Sequence, residues 1–260
     1  MASWLTDFLL FAAVGFIAQI IDGALGMGYG IIASTVLLAT GVPPAHASAS
    51  VNGSKIFTSA ASGISHIIYR NVDRRILVIL AIAGAIGGVI GALLLVRVPP
   101  DATRPYMFAY LGLLGLFIVW RATRPVVQKV LPGKFIAPFG TLGGFLDAFD
   151  GGGWGLVVTS SLIGAGANPR YVVGTVNAAQ FVVTCTIVST FAVTVALGLW
   201  HEANGQPNHL AAVAGLILGG LPSAVFAGWL LKVSPRTPLM VAVGLLISGI
   251  SAWQLVKLLA

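Results

Sequence analysis

Charge is scarce in this chain. Asp, Glu, Lys and Arg make up 8% of its 260 residues, against 57% hydrophobic residues and a mean hydropathy of +0.97. A soluble domain carries roughly 25% charged residues. The scarcity therefore excludes one and leaves a polytopic, all-α integral membrane protein. Cysteine is nearly absent: Cys185 stands alone, which rules out an internal disulfide and says nothing about compartment. The motifs of catalysis are missing too. There is no H-E-x-x-H, no G-x-S-x-G, no P-loop and no His/Cys cluster at metal-ligand spacing. Nothing argues for an enzyme, a metal or a cofactor. No basic n-region or A-x-A-like site opens the chain, so it reads as lacking a signal peptide. The net charge of +7 does not argue for nucleic acid, because in a membrane protein Lys and Arg collect in cytoplasmic loops.

Of the seven acidic residues, three fall in two glycine-rich stretches inside apolar runs. The first is Asp22-Gly-Ala-Leu-Gly-Met-Gly-Tyr-Gly30, and it recurs as Asp147-Ala-Phe-Asp-Gly-Gly-Gly-Trp-Gly155. Without a gap, Gly26 pairs with Gly151, Gly28 with Gly153, Tyr29 with Trp154 and Gly30 with Gly155. In the same register Pro44 pairs with Pro169 and Asn52 with Asn177. A match of this length is the mark of an internal duplication. It divides the chain into a first transmembrane repeat, 1–120, a basic cytoplasmic linker, 121–134, and a second repeat, 135–260. The flanks of the first stretch, 8–21 and 31–41, would each reach only ~15–20 Å as helices at ~1.5 Å per residue, short of a hydrocarbon core ~30 Å thick. They form either a re-entrant hairpin or two short, broken crossings. Either way the glycine tip lies at depth. Residues 76–96 and 106–120 read as spans around a loop at 98–105, and Gly84/Gly88 and Gly87/Gly91 set up close helix approach.

Charge orients the repeats. The loop at 70–75 holds three arginines, whereas its counterpart at 200–209 holds no Lys or Arg. Placing loops 70–75, 121–134 and 232–236 inside collects nine of the fourteen basic residues there. Equivalent loops then lie on opposite faces. The expected fold is two inverted repeats whose broken or re-entrant helices meet near the bilayer midplane.

Several residues in this frame carry chemistry. A carboxylate at bilayer depth costs at least ~2.5–3.5 kcal/mol, so Asp22, Asp147 and Asp150 need a reason. They either carry a coupling proton or cap a broken helix. Asp150 stands opposite Leu25 and has no acidic counterpart. The glycines Gly26, Gly28, Gly30, Gly151, Gly153 and Gly155 free backbone N–H groups next to helix starts, a cradle for an anion. Ser48, Asn52, Lys55, Ser59, Ser62 and His66 recur at helical spacing on one face of a 45–69 helix. The matching face of the second half keeps Asn177, Gln180 and Thr184 but no cation. Lys55 either binds an anion or neutralises Asp22, Asp147 or Asp150. Tyr29 and Trp154 sit in the tips as lining or gating residues. Trp4, Trp120, Trp200, Trp229 and Trp253 read as interfacial anchors, and His66 as an interfacial histidine. Arg170 either draws an anion to a mouth or marks an interface.

The D-G-x-x-G-x-G-x-G tip, the V-P-P turn after Gly41, the A-S-x-x-x-N-G-S-K helix start ending at Lys55 and their weaker second copies resemble the sulfite exporter TauE/SafE family, also called toluene sulfonate uptake permeases. The resemblance covers nearly the whole chain. It implies a multi-pass carrier of the bacterial inner membrane that moves sulfur-containing anions such as sulfite, sulfonates or sulfoacetate, often outwards. Protons are a candidate second partner beside the anion and the bilayer. A rival reading from another class is a membrane subunit that docks a soluble sulfur-handling enzyme through the basic linker 121–134. Which anion is carried, the direction, the coupling ion and the oligomeric state stay open at this stage.

Overall fold

A computed structural model describes residues 2–124, 136–200 and 210–259. Most of the 121–134 linker and the loop at 201–209 therefore lie outside the described residues. What is described is helical, with no strand. The first half contributes α1 (Ala2–Leu25), α2 (Tyr29–Ala39), α3 (Pro44–Ile68), α4 (Arg74–Leu95) and α5 (Pro100–Ala122). The second contributes α6 (Ile136–Asp150), a π-helical turn (Gly155–Thr159) running into α7 (Ser160–Gly164), then α8 (Pro169–Ala196), α9 (Leu210–Val225), α10 (Ala227–Val233) and α11 (Arg236–Leu259). Among the described residues five helices are long and apolar enough to cross a membrane, and α9 with α10, bent by 62° at their break, form either one broken span or a re-entrant loop.

The polar and apolar faces are arranged for lipid. Phe57, Ile64 and Ile67 of α3 are exposed, while Ser48, Asn52, Lys55, Ser59, Ser62 and His66 on its other face are all buried. Water-soluble helices do the reverse, and a buried polar stripe under an exposed apolar one is the pattern for a helix lining the interior of a membrane bundle. The stripe of α8, from Val173 through Asn177, Gln180 and Thr184 to Phe191, is buried as well. The two stripes share a centre because α3 packs against α8, and the helices run antiparallel. Arg170, at the start of α8, donates to Asn71 just past the end of α3. Trp200, past the end of α8, stacks near His46 at the start of α3.

Glycine sets the closest helix pairs. A methyl group on Gly87 or Gly91 of α4 would strike the carbonyl of Thr141 or Phe145 on α6, as expected from the G-x-x-x-G spacing. The same contact is built between α1 and α9 through Gly15 and Gly219. Thus the first helix of each half packs on a late helix of the other. Two hydrophobic clusters result, each drawing on both halves: one around Leu25, Leu111, Leu216 and Ile247, the other around Leu80, Trp154, Val183 and Ile187.

Several expectations need correction. The helix before the first tip does not stop at residue 21 but runs 24 residues to Leu25, about 36 Å at ~1.5 Å per residue, so α1 can cross alone. Asp22 does not break it because a polar residue in the last turn faces the next segment. The short partner is α2, with 11 residues. The loop expected at 98–105 is partly helix, since α5 starts at Pro100 and contains Pro105; proline at a helix start gives up an N–H that has no partner there. Trp200 is no interfacial anchor: it is buried against His46 and Phe191. Trp4, Trp120, Trp229 and Trp253 are about half exposed, as anchors should be. His66, in the last turn of α3, is fully buried in the bundle, with Nδ1 3.3 Å from the Asn71 amide nitrogen.

Candidate functional site

The two glycine tips are built alike. At each, the chain leaves a helix through a glycine at positive φ, Gly26 at 69° and Gly151 at 74°. This conformation carries little penalty only without a Cβ. The Gly26 amide donates to the Asp22 carbonyl at 2.7 Å and the Gly151 amide to the Asp147 carbonyl at 2.8 Å. The aspartate side chains then reach forward over the tip. Asp22 Oδ1 accepts from the Tyr29 amide at 3.4 Å, and Asp147 Oδ1 accepts from the Trp154 amide at 3.1 Å. Each carboxylate thus ties the end of one helix to the start of the next, where orphan amides need acceptors. This is the geometry of a capping carboxylate.

The tips meet. A methyl on Gly30 would land on the Gly151 carbonyl oxygen, and one on Gly155 would lie 2.7 Å from the Gly26 carbonyl oxygen. Backbone therefore touches backbone across the pseudo-symmetric pair, which is why both positions are glycine. Thr159 Oγ1 donates to the Gly26 carbonyl at 2.8 Å. Its register mate Ser34 is buried near Gly151, with no hydrogen-bond partner for its hydroxyl. Neither residue stood out in the sequence. The ungapped register, which runs on to Asn52, pairs the two.

Asymmetry enters with Lys55. Its Nζ lies 2.7 Å from both carboxylate oxygens of Asp147, 3.0 Å from the Gly151 carbonyl and 3.3 Å from Asn52 Oδ1. The ion pair is almost wholly buried, at 1% and 0% exposure, and is the one salt bridge among the described residues. The neutralising partner left open by the sequence is thus Asp147. Asn52 Nδ2 reaches the Asp147 carbonyl at 3.1 Å, and Ser48 Oγ reaches the Ala148 carbonyl at 2.6 Å. Hence α3 clamps the second tip. On α8, Gln180 replaces Lys55, and Asn177 turns back to the Val173 carbonyl at 3.2 Å, so the first tip gets no cation. Asp22 is buried there with the Tyr29 amide. Asp150 turns its Oδ1 to the Gly152 and Gly153 amides at 2.6 and 2.7 Å, and its buried Oδ2 has no partner.

The aromatic tip residues are locked. Tyr29 Oη donates to Ser54 Oγ at 3.0 Å or the Leu216 carbonyl at 3.1 Å. Trp154, fully buried, donates through Nε1 to the Val176 carbonyl at 3.0 Å and lies over Gly84. Arg170 sits at one end of the bundle, donating to Asn71 at 2.6 Å and the Tyr69 carbonyl at 3.1 Å. Of the residues expected at the site, Asp22, Asp147, Asp150, Lys55, Asn52, Gly26, Gly30, Gly151 and Gly155 converge. Gly28 is at positive φ but packs on Ile21 of its own half, and Gly153 packs on Leu146. Among the described residues no cluster of His, Cys, Asp and Glu could hold a metal ion.

A helical bundle with an apolar exterior, whose two broken helices meet around a buried ion pair, is the build of a multi-pass membrane transporter. The family is narrower. The sequence model of the Sulfite exporter TauE/SafE family matches residues 11–253, and this chain belongs to that family. It is 39% identical over 231 residues to the "Probable membrane transporter protein YtnM" of Bacillus subtilis (strain 168), covering 86% of this chain and 74% of that protein. No solved structure matches.

Proposed function

We propose that the protein carries a small sulfur-containing anion, such as sulfite, a sulfonate or a sulfoacetate-like compound, out across the bacterial inner membrane by alternating access. The observation that carries this reading is the junction of the tips, where one buried lysine is held by Asp147, Gly151 and Asn52. Lys55, Asn52, Asn177, Gln180 and the tip glycines Gly26, Gly28, Gly30, Gly151, Gly153 and Gly155 form the anion site, the glycines by letting the two tips approach. Asp22, Asp147, Asp150, Tyr29 and Trp154 couple and gate. Electrostatics ties the two roles together. Three carboxylates and one ammonium share the junction, so an anion is repelled until protons arrive. A proton on one of these carboxylates lowers the local negative charge and lets Lys55 Nζ turn to the anion, and loss of that proton draws Nζ back and expels it. Repeats 1–120 and 135–260 are inverted in this reading, and the antiparallel run of α3 and α8 supports it.

Two measurements test the proposal. Purified protein in liposomes is expected to move labelled sulfite or a labelled alkylsulfonate without any other protein; no flux of either would sink the carrier reading. The Asp22→Asn variant keeps an acceptor for the Tyr29 amide and loses the titratable proton. Its transport is expected to lose much of its dependence on pH, and an unchanged pH profile would leave Asp22 as a cap alone. For topology, single cysteines at 70 and 202 are expected to label from opposite faces of the membrane, and labelling from one face would refute inversion.

A further inference from the structure

Between the end of α1, the start of α8 and the end of α10 lies a cavity of about 420 Å³ lined by Leu25, Asn168, Arg170, Val173, Lys232 and Ser234, among others. It opens at the end of the bundle that carries the 70–75 loop, since Arg170 holds Asn71 and the Tyr69 carbonyl. Lys232 Nζ stands 4.8 Å from the centre of the Tyr69 ring. One loop therefore props both cations at the mouth. Among the described residues no carboxylate pairs with either of them. Asp73, the nearest acid along that loop, turns Oδ1 to the Arg75 and Ile76 amides to cap α4. The inner wall is apolar and thin. Leu25 and Val173 are buried there, and Val173 presses directly on Gly26, the turning point of the first tip. A single layer of side chains thus separates a cationic mouth from the junction that holds Lys55.

The cavity beside the second tip is different. Beside the second tip a cavity of about 370 Å³ is lined by Tyr106, Tyr110, Phe145, Phe149 and Asp150, among others, with no cation in its wall. Asp150 occupies the position that Leu25 has in the first tip. Unpaired cations flanking a concave, low-dielectric wall raise the local concentration of anions, and a carboxylate does the opposite.

We infer that the Arg170/Lys232 cavity is a binding vestibule for small sulfonate-like anions on the basic-loop face, closed from the tip junction by Leu25 and Val173. The inference deepens the transport reading and rests on it only for the step beyond the Leu25/Val173 layer. Anions then collect in this cavity on the basic-loop face, whereas the cavity beside the second tip carries a carboxylate, Asp150, in its wall.

The test uses the full-length protein with Cys185→Ser and Ser234→Cys, labelled with two methanethiosulfonate reagents. One bears a sulfonate and the other a trimethylammonium, and each rate is divided by that for a free thiol in solution. The anionic reagent is expected to be favoured roughly tenfold. The preference should vanish in Arg170→Gln/Lys232→Gln and persist in Arg170→Lys. Equal normalised rates, or a preference that survives the double neutralisation, would overturn the vestibule. Sulfite flux in the same preparations separates the two claims. Flux with no labelling preference removes the vestibule and leaves the carrier. Labelling preference with no flux keeps the vestibule and removes the carrier.

Discussion

Lys55→Ala is expected to destabilise the protein by ~3–5 kcal/mol, the usual cost of stripping one partner from a buried pair, and to abolish anion transport. Four acceptors lose their donor at once: both Asp147 carboxylate oxygens, the Gly151 carbonyl and Asn52 Oδ1. Of the donors named above, the Asp147 carboxylate keeps only the Trp154 amide, and it is left charged and buried. A loss of this size alone would not distinguish a structural lysine from a substrate lysine. The double variant Lys55→Met/Asp147→Asn does. It replaces the pair by neutral groups of similar size, which is often neutral or stabilising, and asparagine still accepts from the Trp154 amide. Its melting temperature in detergent should return close to that of the parent while transport stays absent. Recovery of transport along with stability would show that Lys55 only neutralises Asp147, and that the anion is held elsewhere.

The same residues measure how far the sequence could be read. The ungapped register placed Asp22 opposite Asp147 and Gly26 opposite Gly151, and each pair has the same turn and hydrogen bonds in the structure. Helical spacing put Lys55 and Asn52 on one buried face, but spacing could not choose among three aspartates. That choice depends on which tip α3 crosses, a tertiary fact. The length of α1 was misread because an aspartate in an apolar run looks like a stop, whereas the carboxylate satisfies an amide seven residues on without leaving the helix. Trp200 was misread because the chain folds it back over His46, a contact with no local signature. Charge asymmetry between the loops was legible, and so was the substitution of Gln180 for Lys55. The cavity walled by Arg170 and Lys232 was not, because its two cations come from segments 62 positions apart that meet only through Tyr69.

Gly30→Ala is expected to be among the most damaging single-methyl changes in the chain. The second residue of α2 faces the other tip so closely that the new Cβ would occupy the Gly151 carbonyl oxygen. Overpacking in a well-packed core typically costs ~1–3 kcal/mol when flexible side chains can give way. Here the obstacle is backbone, and the same oxygen accepts from Lys55 Nζ at 3.0 Å. Moving it to make room would pull the Lys55–Asp147 pair apart, so the damage should reach or exceed the upper end of that range, with loss of folded protein or of transport. Helix propensity predicts the opposite sign, since alanine is better than glycine in a helix by ~1 kcal/mol. Gly53 supplies the contrast: it lies in α3 with no described atom within 4 Å of an added Cβ. Gly53→Ala should therefore hold or raise the melting temperature with transport intact. Gly155→Ala should fall between the two, because its Cβ would stand 2.7 Å from the Gly26 oxygen. That oxygen is held by the Thr159 hydroxyl rather than by an ion pair. A scan that found Gly30→Ala as benign as Gly53→Ala would mean that the tips do not touch, and would remove the junction on which the transport site is built.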